Sequence, residues 1–511
     1  MALRVSATVP VTVAVIAIGD ERRVLGEWIC GQGVTTLPLG EADSRAEHLR
    51  CEIADAGADG PSIAIEWVCS EPAVRSPAIA VVICTYNREV ALRRLVDALS
   101  AQHQAIAALW IVNQGDPGLA ERLFSAADPS FLRVVEQENR GGAAGFTRGI
   151  IESLSDGRIT HVLLMDDDVA ISGELVTRLE KICAYVPDTL CIGGAMHDIA
   201  DPSRLISLGH DVDRLHPAVY DRVPREGLLL GREETTRVIA AAAEVDFCGW
   251  WCLCLPRLAI ERCGLPLPFF IRGDDAEYGL RLTEAGFPTV MWPGIFVEHE
   301  AFSRKARSWH HFYDRRNALL RTLLHGPPGR RVPILRLARG VVDALATYRY
   351  ELAEAGIDAL AAYMDGAAGL TSWGADAHCA LVKRESPDFP VPGVVPVTLD
   401  RHPSPVIRTV LTVGRVLGDL PRKAVASAPV PVAAPVWISG TRQRPDAVLV
   451  VSNGRATFHS FQPARQRFLV RELFLVVLRV LFGRHPSRRD LTAMITPDWW
   501  RRFLGIDVSQ W

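Results

Sequence analysis

Short apolar runs recur through the middle of the chain, and each stops at a cluster of polar residues. Ala78–Thr85 gives way to Tyr86-Asn87-Arg88, Ala108–Val112 to Asn113-Gln114-Gly115-Asp116, and Phe131–Val135 to Glu138-Asn139-Arg140-Gly141-Gly142. His161–Met165 runs straight into Asp166-Asp167-Asp168. Apolar runs of this length predict strands buried in a sheet. Between them, Leu92, Leu95, Val96 and Leu99 recur at helical spacing, and Gly145–Leu154 reads as a helix carrying Arg148. Strands alternating with helices predict an α/β domain with a parallel sheet and right-handed crossovers. Ligands of such sheets sit at the carboxyl ends of the strands, so these successive polar ends point to one cleft.

The acidic triplet sets the chemistry expected there. Ionised carboxylates out of water are costly unless paired or metal-bound. A hard divalent cation, Mn²⁺ or Mg²⁺, prefers oxygen ligands and often shares them with substrate phosphates. The triplet therefore points to an enzyme that handles a phosphorylated donor through a metal, although taken alone it also fits a solvated acidic turn.

Further motifs follow in order: Gly249-Trp250-Trp251, then Asp274-Asp275-Ala276-Glu277-Tyr278-Gly279, then Gly286-Phe287-Pro288 leading to His299. Together with Cys84–Arg88, Val112–Gly115, Asn139–Gly142 and Met165–Val169, this set resembles an inverting family 2 glycosyltransferase. It is similar in particular to the actinobacterial galactofuranosyltransferases that build cell-wall galactan. The resemblance runs from about Pro77 to Asn317. It implies a Rossmann-like catalytic domain of the glycosyltransferase A type (GT-A). It also implies transfer of galactofuranose from a UDP-galactofuranose donor to a polyprenyl-linked galactan or a related glycan. One departure is Asn113, where the family usually has Asp.

On this reading Asp166 and Asp168, two apart in the acidic turn, hold the metal and position the donor phosphates. His299 resembles the family's third protein ligand, and Asp167 faces the donor ribose or sugar. Thr85, Arg88, Asn113 and Asn139 surround the nucleotide, with Arg88 suited to phosphate because its guanidinium is always charged. Gly141 and Gly142 let the backbone approach the donor closely. An inverting transfer needs one base to take the acceptor's proton, because the metal assists the leaving group. Asp275 is assigned that role, with Asp274 binding acceptor hydroxyls. Trp250 and Trp251 offer flat faces for sugar C–H surfaces, and His210 is a further acceptor candidate. Consecutive strand residues rarely both face inward, so at least one of the two indoles is expected in the site.

Other readings remain open. One is a family 2 transferase of another sugar, such as rhamnose. Another is a non-catalytic nucleotide-sugar or glycan-binding module, against which Asp275 and the complete triplet argue. A metal-dependent phosphohydrolase would need an additional His/Asp ligand cluster, which is not evident.

The chain has 511 residues, enough for two or three domains, and 49% of them are hydrophobic. Residues 1–75 alternate short β-like runs with Gly/Asp turns and predict a sandwich-like β domain. Residues 76–325 form the catalytic domain, closed by His325-Gly-Pro-Pro-Gly329, and residues 326–511 a mainly helical region with Pro-rich connectors at Pro387–Pro405 and Ser427–Pro435. A net charge of −3 and the lack of basic tracts with interleaved aromatics exclude a nucleic-acid partner. Eleven cysteines without a pairing frame or zinc spacing suit reduced thiols in a cytosolic enzyme. Val9–Val15 reads as a strand followed by a turn at Asp20–Arg23 rather than as an export signal.

Near the end, Phe468–Phe482 is strongly apolar and flanked by Arg465, Arg467, Arg484, Arg488 and Arg489. Such a helix either lies in a membrane interface or packs into a core with its arginines at the ends. The expectation is a cytoplasmic protein, peripheral to the inner face of the membrane, where a lipid-linked acceptor would be held. A homo-oligomer stays open.

Overall fold

The computed structural model describes residues 2–18, 22–39, 48–54, 63–68, 71–125, 128–215, 218–241, 244–301, 307–327, 334–390, 405–423, 430–433, 446–452 and 455–506. The chain divides into two compact units. The first comprises Met1–Ser76 with Ile182–Val186 and Gly231–Ala241, and the second comprises the remainder.

The first unit contains two antiparallel sheets. Ala2–Ala7 lies between Gly33–Pro38 and Ile63–Val68 in one, and Val11–Ile18 lies between Arg22–Cys30 and His48–Ala54 in the other. Period-2 alternation turns Leu3, Val5 and Ala7 of one sheet and Val11, Val13 and Val15 of the other into a shared core with Cys30 and Leu37. The turn read at Asp20–Arg23 lies mostly outside the described residues, but the strands on either side of it pair antiparallel.

The second unit is built on a mixed sheet. Leu132–Glu136, Ala108–Asn113, Ile79–Thr85 and His161–Asp166 run parallel in that order. Leu253–Pro256 then pairs antiparallel with His161–Asp166 and with Cys191–Asp198, and Cys191–Asp198 pairs parallel with Thr289–His299. The all-parallel expectation is thus corrected: Leu253–Pro256 is inserted antiparallel, and Asp201–Ser207, Ala170–Ile171 and Glu244–Val245 also pair antiparallel with strands of this sheet. The helix Glu89–Ser100 buries Leu92, Leu95, Val96 and Leu99, the four positions that carried its periodicity. The helix Gly141–Leu154 starts four residues earlier than its apolar stretch suggested and lies tightly on the sheet, since a Cβ at Gly145 would meet Cys84 Sγ at 2.1 Å. Register brings the strand ends together: Thr85 pairs with Asn113, and Asp166 with Cys84.

The helices His310–His325, Ile334–Ala346, Tyr350–Met364 and Pro463–Phe482 share a core that includes Leu319, Leu320, Val341, Leu345, Leu360, Tyr363, Leu469 and Leu473. This region is not helical throughout. Asp388–Pro390, Arg455–Ser460, Ala447–Ser452 and Val430–Ala433 form a four-stranded sheet, so the stretch Ser427–Pro435, read as a connector, contains a strand. The apolar residues of the Phe468–Phe482 stretch divide between a buried and an exposed side. Leu469, Leu473 and Val480 are buried, while Phe468, Phe474, Leu475, Leu481 and Phe482 are exposed. Among the described residues no helix is long and apolar enough to cross a membrane.

Candidate active site

A cavity of about 1250 Å³ opens over the carboxyl ends of the parallel strands. Its first wall comes from those ends. Asp166 finishes its strand, and the turn after it carries Asp167 and Asp168. Asp167 is buried and accepts a hydrogen bond from Thr85 Oγ1 at 2.7 Å. Burial pushes its carboxyl up to about 6, against the opposing pull of Thr85 and Arg88. Arg88 pairs with Asp168 and lies 3.9 Å from Asp167.

His299, at the end of the Thr289–His299 strand, brings Nε2 to 3.0 Å from Asp168 Oδ1 and 3.9 Å from Asp166 Oδ2. One ligand atom from each of Asp166, Asp168 and His299 falls within 4.8 Å of the others. Two carboxylates and an imidazole on a rigid sheet edge fit a divalent cation such as Mn²⁺, which takes mixed O and N donors. Residues 131 apart in sequence meet here because the strands that carry them end at the same sheet edge.

Asn139 and Gly142 line the same wall. Gly141 has φ +82, and a Cβ there would meet the Phe270 carbonyl oxygen at 2.1 Å, so only glycine fits this turn. Gln114 ties the turn down: its amide donates to the Gly141 carbonyl at 2.9 Å and accepts from Arg140 N at 3.0 Å. Asn113 is different. It is buried, does not line the cavity, and spends its side chain on Asp116 O, Glu136 Oε2 and Gly115 N at 2.8, 2.6 and 3.0 Å. Against the expectation that it surrounds the nucleotide, its amide organises the turn beneath this wall.

The opposite wall begins at the helix Asp274–Glu284, which Gly273 starts in a left-handed conformation. Just before it, Phe270 and Arg272 also have positive φ, 68 and 66. Non-glycine residues in this region cost about 1–3 kcal/mol each and persist only where the surroundings over-determine them. The helix His310–His325 does so. Arg316 donates to Phe269 O at 2.6 Å, Asn317 to Ile271 O at 3.1 Å and Arg272 O at 2.6 Å, and Asp314 holds the Arg272 guanidinium at 2.6 Å. Toward the first wall, Phe270 O accepts from Ala143 N at 3.2 Å. One strained loop thus joins the Gly141 turn to the start of the Asp274 helix.

Asp274 and Asp275 both line the cavity. Burial raises both carboxyls, and Asp274 is raised further by the charge of Asp275. Asp275 alone is pulled back down by His210, Arg272 and Arg321. Cationic neighbours thus oppose the cost of ionising Asp275, and Asp274 has no such neighbours among the causes of its shift. Glu277, behind them, is not in the cavity wall: Arg281 and His325 hold it at 2.7 and 3.3 Å.

His210 reaches the cavity from the hairpin His210–Asp213/Ala218–Asp221, stacked on Phe247 at 4.7 Å and paired with Asp221 at 3.2 Å. Trp250 and Trp251 border the cavity but are only 5% and 2% exposed. They precede the Leu253–Pro256 strand in a turn, so strand alternation does not separate them, and both pack inward. Trp251 Nε1 donates to Gly194 O at 2.9 Å, and Trp250 packs edge-on to Phe146 and Tyr278. Both indoles thus stand in the cavity wall, where at least one was expected, with little of either ring exposed.

Residues 77–319 match the family model described as glycosyltransferase like family 2. This segment is a glycosyltransferase family 2 domain. The galactofuranosyltransferase GlfT2 of Mycobacterium tuberculosis is 32% identical over 293 residues, 53% of this chain and 45% of that protein. The GlfT2 of Mycolicibacterium smegmatis is 33% identical over 278 residues, 51% of this chain and 43% of its own. The chain therefore spans less than half the length of these two relatives. Among solved structures, the mannosyltransferase PcManGT from Pyrobaculum calidifontis, in complex with GDP-Man and Mn2+, is 16% identical at a TM-score of 0.33, covering 61% of this chain and 82% of that one.

Several residues of this family 2 domain and its surroundings escaped the sequence reading. Tyr86, Gln114, Arg272 and Arg321 belong to the cavity, as do Trp309, His310 and His378. Tyr86 and Gln114 adjoin motif residues and were within reach of it. Arg321 and His378 sit on helices with no local chemical signal, and only tertiary packing brings them in.

Proposed function

We propose that this protein transfers galactofuranose from UDP-galactofuranose to a hydroxyl of a lipid-linked cell-wall glycan, with inversion at the anomeric carbon. The observation that carries the reading is a single cavity lined by both the Asp166/Asp168/His299 cluster and the Asp274–Asp275 pair. The donor sugar is proposed from the identity to the two GlfT2 proteins.

Asp166, Asp168 and His299 would hold a divalent cation, Mn²⁺ or Mg²⁺, which supplies charge neutralisation to the departing diphosphate. Arg88 and the backbone at Gly142 receive the donor's phosphates, and Thr85 aims the Asp167 carboxyl at the donor. The Asp275 carboxylate takes the acceptor hydroxyl's proton as that oxygen attacks the anomeric carbon. The bond from that carbon to the phosphate oxygen breaks, and UDP leaves with the electron pair. Asp274, beside Asp275 in the cavity wall, hydrogen-bonds a neighbouring acceptor hydroxyl. No second catalytic carboxyl is needed, unlike in glycoside hydrolysis.

Peripheral membrane contact belongs to the same proposal. The exposed Phe468, Phe474, Leu481 and Phe482 form an apolar outer face beside Arg467 and Arg471, a pattern suited to the boundary of an anionic bilayer.

The test is incubation with Mn²⁺, a panel of nucleotide sugars and a galactofuranose-terminated lipid acceptor. Acceptor-dependent UDP release with the furanose donor alone, giving a product of inverted anomeric configuration, supports the reading. Turnover only with another sugar nucleotide overturns the donor, and phosphate release without acceptor overturns the transfer.

A further inference from the structure

The helix His310–His325 turns one face to the cavity: Asp314, Asn317, Ala318 and Arg321 recur at helical spacing, and all four line it. Asp314 and Asn317 are spent on the strained loop before Asp274, and Ala318 carries no polar side chain. Arg321 has no such task. It is only 4% exposed, yet its guanidinium makes no hydrogen bond and no ion pair among the described residues.

Buried arginines nearby show what a structural role looks like. Arg316 donates to Phe269 O at 2.6 Å and to Asn317 Oδ1 at 2.9 Å, and it lies over the Phe312 ring. Arg281 pairs with Glu277 at 2.7 Å and donates to Cys263 O and Leu265 O, both at 2.9 Å. Burying a guanidinium without partners of this kind is costly. Three carboxylates do favour the Arg321 charge, Asp275 most, then Asp314 and Asp246. Their hydrogen bonds go elsewhere. Asp314 holds Arg272 at 2.6 Å, Asp246 accepts from Val212 N at 2.7 Å and pairs with Arg214 at 3.3 Å, and Asp275 Oδ1 accepts from Ala276 N at 2.7 Å. Burial lowers the Arg321 pKa only to about 10, so the group stays charged at neutral pH. Its nitrogens are not fully enclosed, and the unmet donors open on the cavity that Asp275 also lines.

We propose that Arg321 is an acceptor-binding residue: its guanidinium donates to the oxygen next to the hydroxyl that Asp275 deprotonates, and so selects an acceptor sugar with a free vicinal hydroxyl. The inference rests on the proposed transfer and names the feature of the acceptor that this part of the site reads. The planar fork presents several N–H donors at once, which suits a sugar edge with hydroxyls on neighbouring carbons. A neutral hydroxyl fits better than a carboxylate, because Asp274, Asp275 and Asp314 line the same cavity.

The test compares a galactofuranose-terminated lipid acceptor with monodeoxy analogues lacking either a hydroxyl adjacent to the reacting one or a remote one. In wild type, kcat/KM should fall about tenfold or more for one adjacent-deoxy acceptor and stay within about twofold for the remote one, since a site built to bond a hydroxyl rejects the analogue without it. Arg321→Met should lower kcat/KM for the parent acceptor and use the parent and that analogue within about twofold of each other. A merely structural role would leave their ratio as in wild type. Donor binding by calorimetry reports whether the variant is folded. Should Arg321→Met bind no donor, Arg321→Lys, which keeps the buried charge and shortens the reach, is read by the same ratio. Equal use of all acceptors by wild type, or undiminished discrimination by the variants, would overturn the role of Arg321 while leaving the transfer reading intact. Absence of transfer by wild type to every acceptor would instead defeat the transfer reading on which this inference rests.

Discussion

The side-chain amide of Asn317 donates to the backbone carbonyl of Arg272 at 2.6 Å and so fixes the turn that launches the helix of Asp274 and Asp275. That turn holds Phe270, Arg272 and Gly273 at positive φ, and its Phe270 carbonyl also caps the donor-side helix at Ala143. Removing the amide in Asn317→Ala leaves two part-buried carbonyls without this donor, at about 1 kcal/mol or more. The expected result is a fall in kcat of about tenfold or more with donor KM nearly unchanged, because misplacement of the base costs rate more than binding. Steady-state kinetics against both substrates decide it. An unchanged kcat would show that the loop is held without Asn317.

The cation site gives a second expectation. Asp168→Asn and His299→Ala each remove one of the three clustered ligand atoms. Mn²⁺ binding measured by calorimetry should weaken by about tenfold or more, as for lost ligand contacts generally. Chelation of wild type should abolish transfer, and added Mn²⁺ should restore it. Full activity in the presence of chelator would contradict the role given to this cluster.

The network behind the Asp274 helix makes stability depend on pH. His325 lies 3.3 Å from Glu277 and 2.8 Å from Glu284, and these carboxylates raise its pKa against the cost of burial. A histidine whose folded pKa exceeds its unfolded value, about 6.5, stabilises fully below that value and loses the contribution as pH rises through the folded pKa. Glu277 behaves oppositely. Arg281 and His325 hold it down to about 2 despite burial, so its contribution is complete above about pH 4.5 and is lost as pH falls toward 2. Thermal melts should therefore show His325→Gln costing more at about pH 6 than at pH 9. An equal cost at both would remove the linkage.

Trp251 offers a contrast between wall and ligand. Its N–H is committed to Gly194 O at 2.9 Å, and its ring lies against Gly249, where a Cβ would meet it at 2.0 Å. Trp251→Phe should lower the melting temperature through the lost buried hydrogen bond, about 1 kcal/mol or more, while changing acceptor KM little. A large rise in acceptor KM with unchanged stability would return this indole to the acceptor site.

Much of the cavity's strand-end wall was legible in the chain because polar residues and secondary structure coincide there. Thr85, Arg88, Asn139, Asp166, Asp167 and Asp168 each end or follow an apolar strand, and a sheet edge gathers strand ends without further information. Asn113 shows the limit: it ends a strand too, yet its amide turns down to Glu136 on the next strand. A Gly-Trp-Trp string likewise cannot say that a turn will bury both rings. The inserted strand Leu253–Pro256 is too short for periodicity to reveal its direction. The far wall was invisible because Arg321 and His378 lie on helices whose own patterns serve packing, and Trp309 caps one of them. Their meeting at one cavity is set by how those helices cross, which no local spacing encodes.

The most direct check of the central claim compares donor binding and transfer in Asp275→Asn under the same conditions. UDP-galactofuranose with Mn²⁺ should bind within a few-fold of wild type by calorimetry, while transfer drops by about 10²–10⁴, the usual loss for a missing general base. Transfer at the wild-type rate by this variant would contradict Asp275 as the base and dissolve the link between the two walls of the cavity.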